Sequence, residues 1–255
     1  MTADPGDEAH PRTADEGGTG RSGAAPADLA DEQRRAAAEA AAKWVQDGMV
    51  LGLGTGRTAG YVLEALARRV AAGLHIMGVP SSRATEARAR ALGLALTSLD
   101  EHPRLDLTID GADEVDPRRR LLKGGGGALL REKVLAAAAD RLVIVVDERK
   151  LVPRLGSTRG VPLEVLPFAA SACCRHLQAL HGRPQLRRTE TGAPVATDNG
   201  NWLIDCPFPP DRFDDPASLE CDLRSIPGLL ETGLFWRYDP TIIVGTAAGV
   251  RILGT

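Results

Sequence analysis

Aromatic side chains are scarce in this chain of 255 residues: three Trp, two Tyr and four Phe make up 4% of it. A core must therefore rest on Ala, Leu, Val and Ile. No apolar run approaches the roughly 18 residues that span a bilayer as a helix, so no membrane segment is expected. Charge of one sign is missing as well. Thirty-one Lys and Arg face 34 Asp and Glu, a net charge of −3 with no basic footprint for nucleic acid. The four cysteines, Cys173, Cys174, Cys206 and Cys221, form no C-x-x-C pair, and the five histidines form no H-E-x-x-H. A zinc site thus has no support, no metal is expected, and the thiols read as those of a reducing cytoplasm.

What is present is ordinary for a globular chain, 43% hydrophobic and 25% charged. Residues 1–30 stand apart, with six acidic and two basic residues and only Met1 and Leu29 as large apolar side chains. Such a stretch buries too little to offset ordering, so a disordered acidic tail is expected; it lacks the apolar segment of a signal peptide. Beyond it, strands and helices alternate. An Ala-rich helix over 31–47 leads to a buried strand "MVLGLG", a glycine turn and a second helix. "LHIMGVP", a helix "SRATEARARALG", strands "LALT" and "DLTID", a helix over 128–140 and a strand "RLVIVV" follow. That alternation predicts a Rossmann-like parallel sheet covered on both faces, over 31–160. From residue 161 to 236 the order becomes βαββαβ, a smaller ferredoxin-like α+β domain. "TIIVGTAAGVRIL" is expected to return to the first sheet, so that 237–255 belong to it. No internal repeat is visible.

Three segments can carry chemistry. In "GLGTGRTAG", a strand, a glycine turn and a helix gather backbone N–H groups and a positive dipole end, which suits a phosphate. A dinucleotide is the rival occupant, but it wants an acid after the next strand, where Val79, Pro80, Ser81 and Ser82 stand. A plain tight turn is the third reading. In "DLTIDGADEVD", Asp110, Asp113 and Asp116 fall at i, i+3, i+6 where a parallel strand ends. That spacing is wrong for a calcium loop, and turn capping or a Mg²⁺ site remain alternatives there. In "LLKGGGGALLREK", Lys123 precedes four glycines instead of following them, so this is no P-loop. A ligand lying across Gly124–Gly127 is the expectation, with Lys123 a nearby cation; Glu132, in the helix that follows, reads in isolation as part of a solvated charge run.

Together, and in this order, GTGRTA, DGADEVD and KGGGGALLREK resemble the type A ribose-5-phosphate isomerase family. "GVPSSRAT", "VIVVDERKLV", "PLEVLPFA", "TDNGNWLIDC", "IPGLLETGLF" and "IIVGTAAGV" extend the likeness from Asp31 to the C-terminus. The resemblance implies an aldose–ketose isomerase that interconverts ribose 5-phosphate and ribulose 5-phosphate through an enediolate. It implies no cofactor, a sugar phosphate as its small-molecule partner, and a cytoplasmic homodimer. Glu132 matches the family's catalytic base, Asp110 and Asp113 its active-site aspartates, and Lys123 the lysine before the glycines. Substrate contacts are implied for Thr55, Gly56, Arg57 and Thr58, for Gly111 and Ala112, for Gly124, Gly125 and Gly126, and for Lys150. Arg57 departs from the family's usual serine in G-T-G-S-T. A non-catalytic sugar-phosphate sensor and a sugar-phosphate deaminase or lactonase are the competing functions; a sensor would need neither Glu132 nor Lys123.

Overall fold

The computed structural model describes residues 26–254. The expected tail therefore lies outside the described residues up to residue 25, while its last five residues are helical. They open α1 (Pro26–Ala42), which is followed by β1 (Val50–Leu53), α2 (Arg57–Ala71), β2 (Met77–Pro80) and α3 (Arg83–Ala91). Next come β3 (Leu107–Asp110), β4 (Glu114–Val115), β5 (Leu121–Leu122), α4 (Leu129–Ala138) and β6 (Leu142–Asp147). The second part holds β7 (Val161–Val165), α5 (Ala170–Ala179), β8 (Gln185–Leu186), β9 (Trp202–Cys206), α6 (Pro216–Arg224) and β10 (Leu229–Thr232). The chain closes with β11 (Leu234–Phe235), β12 (Thr241–Thr246) and β13 (Gly249–Leu253).

The main sheet runs β13-β12-β6-β3-β1-β2. All its pairings are parallel except the last hairpin, where β13 turns back antiparallel on β12. The predicted return of the C-terminal segment to this sheet is thus observed. Strands β3 and β6 are buried along their whole length, as a sheet covered on both faces requires. Helix α1 lies against β12 closely: a Cβ on Gly245 would fall 1.9 Å from the Gln33 carbonyl oxygen. That contact carries Arg34 to the end of the sheet. The helix stops at Ala42, short of the expected boundary, because Trp44 and Val45 N–H donate to Ala41 and Ala42 O in a tighter turn.

The second sheet is antiparallel, ordered β10-β7-β9-β8, with α5 and α6 in its two crossovers. This is the βαββαβ arrangement the sequence predicts. Two expectations change. "LALT" contributes only a single bridge, Gly78 to Leu96, and "LLETGLFW" is split between two sheets. The split falls at Gly233, whose N–H donates to Pro162 O at 2.7 Å and whose O accepts from Lys123 N–H at 2.9 Å. Beyond it β11 pairs with β5, and β5 with β4, in a third, antiparallel sheet that the sequence pattern did not predict. Three strands of two residues are too short to show a period. They nevertheless set the position of Lys123.

Candidate active site

Chain order in the main sheet reverses between β1 and β3: β1 leads outward to β2, and β3 leads the other way to β6. Open α/β sheets bind ligands in the crevice beyond the carboxyl ends of such strands. Both loops flanking this crevice are predicted segments. After β1, Gly54 is required because a Cβ there would fall 2.1 Å from Asp110 Oδ1. Gly56, at φ +98°, then turns the chain into α2. The first turn of that helix leaves N–H groups with no intrahelical acceptor, aimed into the crevice end.

Thr55 is committed to holding this loop. Its N–H donates to Asp110 Oδ1 at 3.1 Å. Its hydroxyl lies 2.6 Å from Ser81 Oγ, 2.9 Å from Ser82 Oγ and 3.1 Å from Thr85 Oγ1. The hydroxyl residues of "GVPSSRAT" thus buttress the loop after β1 from behind.

Three charged groups from three elements meet at the other wall. Lys123 leaves β5 with its Nζ 2.9 Å from Asp110 Oδ2, at the end of β3, and 3.3 Å from Glu132 Oε2, in the first turn of α4. All three side chains are buried. Burial opposes the charged lysine, but the carboxylates of Asp110 and Glu132 outweigh it and hold the ammonium above the ordinary lysine range. Burial, and then the charge of Asp110, push the Glu132 carboxyl up to about 8 against the pull of Lys123. Glu132 Oε2 is buried; beyond the ion-pair contact with Lys123 Nζ at 3.3 Å, no group among the described residues bonds it. Such an oxygen is available to a proton that arrives from the cavity. "REK" is therefore no solvated run: Lys133 is buried too, and donates to Glu220 and Glu231 at 3.0 and 2.9 Å.

The glycine run owes its composition mostly to the protein itself. Gly124 and Gly127 have positive φ, +109° and +81°, and a Cβ on Gly124 would press on Leu129 and Pro162 at 2.8 Å. At Gly125 it would meet Arg159 and Asp113 at 2.3 and 2.6 Å. Only Gly126 borders open space, its nearest atom being Thr55 Cγ2 at 3.8 Å. The expectation that all four glycines make room for a ligand is corrected accordingly: three of them make room for neighbouring protein atoms.

A cavity of about 390 Å³ connects these walls. Thr55, Gly56, Arg57 and Thr58 line one side, and Gly111, Ala112 and Asp113 another. Lys123, Gly124, Gly125, Gly126 and Glu132 line the wall opposite, with Lys150 entering from the 3-10 turn after β6. Asp110 is the exception. It stands behind the wall, its Oδ1 taken by the N–H groups of Thr55 and Gly111 and its Oδ2 by Lys123. Asp113 faces the cavity, held by Arg159 at 2.9 Å and by the Gly125 N–H at 2.7 Å. The Arg57 side chain is 70% exposed and 3.8 Å from Asp31 Oδ1.

Sequence reading missed Arg34 and Arg159. Arg34 lines the cavity from α1 and pairs with Asp147 Oδ2 at 2.9 Å. It sits on what reads as an ordinary amphipathic helix, so nothing local marks it. A larger recess of about 550 Å³ lies between α3 and α4. Its walls mix Val79, Leu96, Leu99 and Leu135 with Glu86, Arg90, Glu101 and Arg131, none of the four charged residues buried, so volume alone does not locate the chemistry.

Comparison with known proteins agrees with this fold. The family model for ribose 5-phosphate isomerase A (phosphoriboisomerase A) matches residues 77–249. A ribose-5-phosphate isomerase A of Methanoregula boonei is 47% identical over 90% of this chain and 97% of its own. One from Thermosynechococcus vestitus is 46% identical over 86% and 93%. Among solved structures, a D-ribose-5-phosphate isomerase in complex with phospho-erythronic acid superposes with a TM-score of 0.86 at 40% identity, covering 89% of this chain and 99% of that one. The Methanocaldococcus jannaschii enzyme does so with 0.84 at 38%, over 88% and 99%. The fold that carries the cavity is that of these proteins, and the chain belongs to the ribose 5-phosphate isomerase A family.

Proposed function

We propose that the protein interconverts D-ribose 5-phosphate and D-ribulose 5-phosphate in the non-oxidative pentose phosphate pathway, with Glu132 as its acid–base group. One observation carries this reading: a buried carboxylate oxygen on a cavity wall, 3.3 Å from a buried ammonium and bonded by no other group among the described residues. An aldose–ketose isomerase must take a proton from C2, stabilise the enediolate, and return the proton to C1. Glu132, its carboxyl raised toward neutrality, is suited to both transfers, a role worth about 10²–10⁴ in rate. The Lys123 ammonium stands beside it for the oxygen on which charge develops, and, fixed by its ion pairs, it needs little reorganisation to act.

The phosphate fits the N-terminus of α2, where Arg57, Thr58, Lys150 and Arg34 supply further donors. Asp113 is the acid placed to open the furanose ring, since it faces the cavity. Asp110 holds Lys123 and the Thr55 loop in register without touching the sugar. No metal or organic cofactor enters these steps. The reading extends to a cytoplasmic homodimer. The four thiols are free, which suits a reducing compartment, and Phe168, 97% exposed, offers apolar surface to a second copy. No helix among the described residues is long and apolar enough to cross a membrane. A coupled assay with ribose 5-phosphate tests the activity: steady formation of ribulose 5-phosphate is expected, and none at all would overturn the reading. Sedimentation equilibrium showing a monomer would remove the dimer.

A further inference from the structure

We propose that Arg187, on the antiparallel sheet, is a positioning residue for this reaction: it turns the Gly125–Gly126 peptide so that the Gly126 N–H is presented to the substrate's developing oxyanion. The proposal rests on the isomerase reading above. Arg187 directly follows β8, and its backbone N–H donates to Leu203 O of β9 at 2.8 Å. That register puts its side chain on the same face as Asp205, two residues along β9. Nε and Nη2 donate to the two Asp205 carboxylate oxygens at 2.8 and 2.6 Å. A forked pair of this kind is planar and directional, so it fixes where the remaining N–H groups aim. They aim at the glycine run: Nη1 donates to Gly124 O and to Gly125 O, each at 3.1 Å.

A planar trans peptide points its C=O and the following N–H in opposite directions. With Gly124 O on Arg187, the Gly125 N–H must leave on the far side, and there it meets Asp113 Oδ2 at 2.7 Å, on the cavity wall. The next peptide obeys the same rule. Gly125 O is on Arg187, so the Gly126 N–H is also turned away from Arg187, but no acceptor among the described residues takes it. Gly126 lines the cavity beside Lys123, and the space next to it is open. A fixed N–H donor without a protein partner, next to an ammonium and the proton-transferring carboxylate, has the geometry of an oxyanion donor. The Gly127 N–H closes this turn on Gly124 O at 3.1 Å, but glycines at both central positions let the Gly125–Gly126 peptide flip, so contacts from outside the loop fix which way it faces. Arg187 and Asp113 grip it from opposite sides.

The test uses the full chain as wild type, Arg187→Met and Asp205→Asn. Turnover of ribose 5-phosphate is measured together with inhibition by phospho-erythronic acid, whose carboxylate resembles the enediolate, and by inorganic phosphate, which reports the phosphate end alone. Wild-type turnover tests the isomerase reading by itself; the variants test the role of Arg187. Arg187→Met should lower kcat/KM by about 10–100-fold, mostly through kcat, since one oxyanion donor is worth about 10²–10³ and the loop retains its Asp113 grip. Binding of phospho-erythronic acid should weaken by a similar factor, while the phosphate constant stays within about twofold, as expected for loss of transition-state contacts alone. Asp205→Asn should shift the same ratio in the same direction by less, and it decides the matter if Arg187→Met does not fold. Unchanged kcat, or equal weakening of both inhibitors, would overturn the proposal.

Discussion

Replacing Glu132 by Gln keeps the shape of the side chain and removes its titration, which separates two consequences of burying a carboxyl. Turnover should fall by about 10²–10⁴, because the proton can no longer be carried. Stability should move the other way, and in a pH-dependent manner. In the unfolded chain the carboxyl titrates at its ordinary 4.5; in the folded protein burial and Asp110 push it up to about 8. Below pH 4.5 both states hold the proton, and the group withdraws nothing from folding. As pH rises from 4.5 to 8 the unfolded chain releases its proton while the folded one keeps it, so folding is progressively disfavoured. A pKa unit corresponds to about 1.4 kcal/mol, so the rise from 4.5 to about 8 caps the effect at about 5 kcal/mol. Lys123 keeps Asp110 at 2.9 Å in the variant, so no ammonium is orphaned. Melting temperature is then followed for both proteins from pH 4 to 9. The two should melt alike at the acid end, with the variant gaining from pH 5 to 8. A gap of at least about 4 °C is expected by pH 8, at about 2–4 °C per kcal/mol. Parallel curves would refute the reasoning, since Glu132 would then titrate as an ordinary carboxylate, already ionised well below neutral pH.

Wild-type kcat/KM should climb with pH through neutrality and level off above about 8, as the free enzyme's Glu132 loses its proton; a flat profile across pH 6–9 would contradict this. Lys123→Ala should lose on the order of 3 kcal/mol of transition-state stabilisation and move that acid limb to higher pH, because Lys123 now lowers the Glu132 pKa. Arg57→Ser should stabilise the empty protein by roughly 0.3–1 kcal/mol, since a cation in the first turn of α2 opposes the helix dipole, while raising KM and sparing kcat. Equal ligand-induced gains in melting temperature for both proteins would place Arg57 outside the phosphate site. Extensive EDTA dialysis should leave turnover unchanged, because the Lys123 ammonium occupies the space between Asp110 and Glu132 that a divalent ion would need; a loss reversed by Mg²⁺ would refute that.

Periodicity and glycine placement in the sequence determined the alternation of strands and helices, the change to βαββαβ after residue 160, and the glycine turn that opens α2. Each of these is local, written within a dozen residues. The motifs likewise determined which residues line the cavity, since Thr55–Thr58, Asp113, Lys123 and Glu132 are marked by their neighbours along the chain. Tertiary structure alone decided what these residues do to one another. Asp110, indistinguishable from Asp113 in D-G-A-D, is drawn behind the wall because Gly54 leaves room for it there. Glu132, on a helix whose charges read as solvated, is buried because β5 and β11 bring Lys123 against it, and Gly233 alone can pass the Lys123 carbonyl, at 2.2 Å from any Cβ. Arg34 and Arg187 arrive from 89 residues before Lys123 and 64 after it, positions read from the chain itself. Side-chain pairing across such separations leaves no period and no spacing in a single sequence, so the electrostatics of the site become readable only once the three sheets have packed.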